Sequence, residues 1–110
     1  NDYKSMFHLA DIKFKMIGDL DGAKKIYEKI LKNYSSIKYK QMALSNIIDI
    51  SIVKGDLENA KITFLQGIKF NPQSAKLYFN LAITCDNMGN GKLAKEYYSK
   101  AFELDPNLKN

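Results

Sequence analysis

The sequence holds one histidine and one cysteine, so nucleophilic or metal chemistry would have to start from His8 or Cys85. A histidine serves as a general base or a metal ligand only with a second group to orient it or share the ion. Asp11 and Asp49 are the acids available to it, and no spacing among the three repeats a triad or metal motif. His8 therefore reads as a groove-lining or merely exposed side chain. Cys85 shares an apolar stripe with Leu77, Tyr78, Leu81 and Ala82. A thiol placed there packs as a small hydrophobe rather than acting as a nucleophile. One cysteine also closes no internal disulfide and makes no zinc site. That points to a reducing compartment, most simply the cytoplasm. Gly89-Asn90-Gly91-Lys92 has the glycines and lysine of a phosphate loop, but no strand precedes it and no Ser/Thr follows at the set place. A turn between two helices explains it better. No catalytic residue, metal site or cofactor is expected.

The basic residues are all lysine, and the net charge is +5. Arginine supplies the planar fork that grips phosphates and guanine edges, so its absence weighs against nucleic-acid binding. The lysines are also dispersed among acids, as in Lys24-Lys25 with Glu28 and Glu96 with Lys100. That pattern is ordinary for solvated helix faces. No apolar run approaches the roughly 20 residues of a membrane helix, so no membrane insertion is expected. The 110 residues make one domain, long enough to bury a core. The first residue is Asn1 rather than Met, so the chain is expected to be part of a longer one.

The elements that carry these residues repeat. Gly18, Gly55 and Gly89 are each followed by Ala23, Ala60 and Ala94, and then by Tyr27, Phe64 and Tyr98, at the same spacing. Fixed-period similarity marks a solenoid. Each glycine can adopt the left-handed conformation that ends a helix, and Asp19, Asp56 or Asn90 after it can cap the next one. Six helices follow, at about Lys4–Met16, Leu20–Asn33, Tyr39–Val53, Leu57–Phe70, Ser74–Met88 and Gly91–Leu104. The first carries Phe7, Ala10, Ile12 in part, Phe14 and Ile17 at helical spacing. A loop is expected at Tyr34-Ser35-Ser36. Pro72 and Pro106 close the second and third copies.

These residues resemble the tetratricopeptide repeat family, whose unit is a helix-turn-helix of about 34 residues. The third copy carries the pattern best, with Tyr78, Leu81-Ala82, Ala94, Tyr98, Ala101 and Pro106. The second has Leu44, Ile47-Ile48, Ala60, Phe64, Gly67 and Pro72, with Ser51 in a usual aromatic place. The first has Phe7, Ala10-Asp11, Phe14, Ala23, Tyr27 and Ile30. The resemblance implies an all-α, right-handed α-solenoid of three units and six antiparallel helices. Residues 1–110 form one domain on this reading, with copies at 4–37, 41–74 and 75–108. A three-residue insertion at 38–40 should lengthen the loop or an adjoining helix end. The small residues at Ala23, Ala60 and Ala94 let the helices of a pair approach, and stacked neighbours complete the core.

The family commonly binds an extended peptide or a helix of another protein in its concave groove, lined by the first helix of each pair. That stripe is read here as His8, Ile12 and Lys15 in copy one. Copy two gives Ser45, Asn46, Asp49 and Ile52, and copy three gives Lys76, Phe79, Asn80, Ile83 and Asp86. Ile12, Phe79 and Ile83 fall off the packing stripe, and an apolar groove is a reason for them. A branch of the family clamps the C-terminal carboxylate of heat-shock chaperones with lysines and asparagines. Only Asn46 and Lys76 match it, since His8, Ile12 and Asn80 stand where the others are needed. The leading reading is thus a non-enzymatic scaffold for a protein or peptide. The alternatives are a structural segment that self-associates through its uncapped last copy, or the recruiting arm of an enzyme.

Overall fold

The structure is a computed structural model and describes residues 3–33 and 36–109. The chain divides into two compact units, Asn1–Lys54 and Gly55–Asn110. The first unit contains α1 (Tyr3–Ile12), α2 (Leu20–Asn33) and α3 (Ile37–Lys54). The second contains α4 (Leu57–Phe70), α5 (Ala75–Asn87) and α6 (Gly91–Leu104), followed by a 3₁₀ turn at Pro106–Lys109. Among the described residues there is no strand.

The glycine and the capping residue act as the sequence predicts. Gly18, Gly55 and Gly89 have φ of 79°, 75° and 83°, the left-handed region where a Cβ would be strained. The residue after each receives the N–H three positions on. Gly22 donates to Asp19 Oδ1 at 3.0 Å, Asn59 to Asp56 Oδ1 at 3.1 Å and Leu93 to Asn90 Oδ1 at 3.2 Å. Each cap satisfies one of the orphan donors at a helix start. Ser74, expected as the first residue of the fifth helix, is its cap instead, accepting from Leu77 N–H at 3.2 Å.

Two further boundaries differ from expectation by more than one residue. The first helix does not run as α-helix to Met16; it widens into a π turn over Lys13–Ile17. Lys13 closes that turn, because its carbonyl accepts the N–H of both Gly18 and Asp19 while its Nζ pairs with Asp19 Oδ2 at 3.4 Å. Ile17, placed on the packing stripe by its spacing, is 68% exposed as a result. The third helix begins at Ile37 rather than Tyr39, and the Ser36 carbonyl accepts its first bond from Lys40 at 3.0 Å. The insertion at 38–40 is therefore helical. The added turn carries Tyr39 to Phe7, ring to ring at 6.0 Å. Tyr34 and Ser35 of the expected loop lie outside the described residues.

In the first unit α1 packs on α2 and α2 on α3. Phe7, Ala10, Ala23, Tyr27, Ile30, Ala43, Ile47 and Ile50 form one buried cluster. In the second unit α4 packs on α5 and α5 on α6. Leu77 lies 3.5 Å from where a Cβ on Gly67 would stand, so Gly67 sets the approach of α4 to α5. Leu81, Ala82 and Cys85 of α5 and Ala94 and Ala101 of α6 are buried.

Candidate interaction surfaces

Within the first unit, α1 presents His8, Ile12 and the π turn presents Lys15, all exposed. Ile12 is 42% exposed. On α3, Ser45, Asp49 and Ile52 are exposed and Asn46 is half-buried. Partial burial lifts the Asp49 carboxyl above its ordinary range, and the Lys15 charge opposes the rise. Within the second unit, α5 presents Lys76, Asp86 and Ile83, the last 38% exposed. Asn80 and Phe79 are half-buried. Phe79 meets Tyr98 edge-on at 5.5 Å and Phe102 at 6.2 Å. Its ring thus serves packing inside the unit, which its position off the core stripe did not suggest.

Two features escaped the sequence reading. Tyr27, with no solvent exposure, donates its hydroxyl to Asp11. Burial, then the Asp11 hydrogen bond and charge, then Asp49, push its phenol above the usual tyrosine range. An acid at position 11, where the other copies hold Ile48 and Ala82, was the available signal. The second feature is a shallow, open depression of about 540 Å³ over α6, with Tyr98 and Phe102 in its lining. Those two rings stack at 6.0 Å. Cys85 is buried with a free thiol, and burial raises its pKa, so it packs as expected. Among the described residues, no group of three or more His, Cys, Asp or Glu is placed to hold a metal ion. None of the described helices is long and apolar enough to cross a membrane.

Family descriptions of the tetratricopeptide repeat match residues 4–36 and 75–108, which are the first and third copies. No curated protein matches the sequence. Among solved structures 51 chains match, so the architecture is common and singles out no partner. One of them, described as the crystal structure of MamA, superposes with a TM-score of 0.73 at 20% identity over 96% of this chain. The present chain spans 60% of the length of that one, so the likeness speaks to fold and not to activity. The chain belongs to the tetratricopeptide repeat family, all-α and built of helix-turn-helix units. That family generally provides non-catalytic modules for protein–protein interaction.

Proposed function

We propose that the chain is a non-enzymatic scaffold that holds a peptide or helix of a partner protein on the outward stripes of its first helices. In the first unit the stripe comprises His8, Ile12, Ser45, Asn46 and Asp49; in the second it comprises Lys76, Phe79, Asn80 and Ile83. The observation that carries this reading is that Ile12 and Ile83, at corresponding places in their copies, are 42% and 38% exposed. Exposed apolar side chains recurring at one repeat position favour contact with a partner. Asn46 and Asn80 would bond its backbone, and Lys76 its acidic groups. The buried free thiol of Cys85 fits a reducing compartment such as the cytoplasm.

An unbiased peptide-binding screen, with internal and free C-terminal peptides, tests the proposal. Ile83→Glu is the control variant, since Ile83 is exposed and its loss leaves the core intact. Hits that vanish in the variant are the expected result. Hits indifferent to Ile83→Glu, or no hits, would sink the assignment of this stripe.

A further inference from the structure

The turn into α6 differs chemically from the turns into α2 and α4. Asp19 and Asp56 cap those two helices and are each followed by leucine, whereas Asn90 caps α6 and is followed by Gly91. Neither backbone nor packing asks for that glycine. Its φ is negative, unlike those of Gly18, Gly55 and Gly89, and no atom lies within 4 Å of where its Cβ would stand. Gly22, in the first turn of α2, is different, because the Asp19 carboxylate occupies the space a Cβ would need. At position 91 alanine would be the better helix former.

What the pair Asn90-Gly91 permits is a reaction of the chain with itself. With no Cβ to screen it, the nitrogen of a glycine can approach the side-chain amide of the residue before it. The Gly91 nitrogen gives its proton to base and bonds to Cγ of Asn90. The bond from Cγ to the side-chain nitrogen breaks, and ammonia leaves. Water then opens the cyclic imide at either carbonyl, which yields aspartate or isoaspartate. Both residues are exposed to that water. Gly91 is also the first residue of α6, where the backbone N–H has no carbonyl partner within the helix, so the helix does not tie up the nucleophile.

The folded turn holds the reacting atoms apart. Asn90 has ψ of 73°, which puts the Gly91 nitrogen on the far side of the Cα–C bond from the Asn90 side chain. Three hydrogen bonds fix that arrangement. The Asn90 N–H donates to the Cys85 carbonyl at 2.9 Å, its carbonyl accepts from Ala94 N–H at 3.0 Å, and its Oδ1 accepts from Leu93 N–H at 3.2 Å. We propose that Asn90 is a site of spontaneous deamidation, gated by fraying of the first turn of α6. Its two products act in opposite ways. Aspartate restores the cap that the other copies carry. Isoaspartate routes the backbone through Cβ and Cγ and leaves the carboxylate on Cα, so the cap is lost. Uncapping reaches further into the second unit, because Tyr98 and Phe102 of α6 pack on Phe79. The inference is independent of the binding reading.

The test uses the whole chain, aged at mildly alkaline pH both folded and in guanidinium, then digested with trypsin. The fragment Leu77–Lys92 carries Asn80, Asn87 and Asn90 together, so two asparagines serve as internal controls. Mass spectrometry reads conversion of amide to acid, and electron-transfer fragmentation separates isoaspartate from aspartate. Asn90 should convert ahead of Asn80 and Asn87. Its rate in the folded chain should be at least about tenfold below that in guanidinium, the protection given by an N-cap and a backbone hydrogen bond. Gly91→Ala should abolish the preference for Asn90 while keeping the cap. Chains enriched in isoaspartate should show a lower urea midpoint at constant slope, whereas Asn90→Asp should keep the parent value. Equal rates folded and unfolded would overturn the gating. Conversion of Asn80 or Asn87 first, or none at Asn90 in the folded chain after many unfolded-state half-lives, would overturn the site. An unchanged midpoint in the isoaspartate form would show that α6 does not depend on this cap.

Discussion

Tyr27, itself out of contact with water, donates a hydrogen bond from its hydroxyl to Asp11. The equivalent Phe64 has no hydroxyl, and Tyr98 has Ala82 where Tyr27 has Asp11, so only the first copy holds this pair. Its phenol titrates above the unfolded value of about 10. A folded-state pKa raised in this way contributes stability that is full below pH ~10 and lost as pH rises through the folded value. Denaturation midpoints should therefore fall above pH ~10, and Tyr27→Phe should make that fall shallower. At neutral pH the same variant should cost about 1.5–3 kcal/mol, the net worth of a lost hydrogen bond to a charged group. An alkaline loss as steep in the variant as in the parent would show that other groups cause it. Ser51 is the opposite case, a buried hydroxyl without a hydrogen-bond partner. The last copy holds the less polar Cys85 at the same place. Ser51→Ala removes the unpaired group and improves helix propensity, so it should raise stability by about 1 kcal/mol in urea titrations. A lower midpoint would mean the hydroxyl is satisfied in solution.

At the scale of the elements, each turn combines a backbone stop with a side-chain start. Asp56→Ala should cost about 1 kcal/mol, the usual worth of an N-cap. Gly89→Ala should cost about 1–2 kcal/mol, because φ of 83° places a Cβ against the carbonyl oxygen. Urea midpoints compared at constant slope measure both, and values near zero would mean that the turns are held by packing instead. These turns were legible in the sequence because a glycine followed by Asp or Asn fixes local backbone chemistry whatever surrounds it. The second, fourth and sixth helices accordingly match their expected spans. The π turn was not legible, since it depends on where the Lys13 amine and carbonyl meet Asp19. The insertion at 38–40 could be counted but not placed, because helix and loop both accommodate Lys38, Tyr39 and Lys40. On the candidate surfaces, periodicity put Phe79 and Ile83 on one stripe. It could not tell that the longer, flat ring reaches Tyr98 and Phe102 while Ile83 stays at the surface.

At the scale of the whole molecule, a net charge of +5 invites the question of nucleic acid. Affinity for a phosphate backbone comes from releasing counterions, which requires several cations to engage phosphates together. Here part of the positive charge is already engaged locally. Lys13 pairs with Asp19, Lys54 with Asp21 and Lys100 with Glu103. Lys54 also holds the Asp21 carboxyl below its ordinary range, by its hydrogen bond first and its charge second. That contribution is present above the unfolded carboxylate pKa and is lost as pH falls through the folded value. A lysine is in any case a point charge, without the bidentate geometry that arginine would supply. Binding to single-stranded RNA should therefore stay in the non-specific range, with a dissociation constant no tighter than about 10⁻⁶ M at physiological salt. Filter binding between about 0.05 and 0.2 M salt measures both the affinity and its slope. A dissociation constant well below that range, with a steep loss as salt rises, would show several lysines converging on one phosphate track. The partner to look for would then be a nucleic acid rather than a helix.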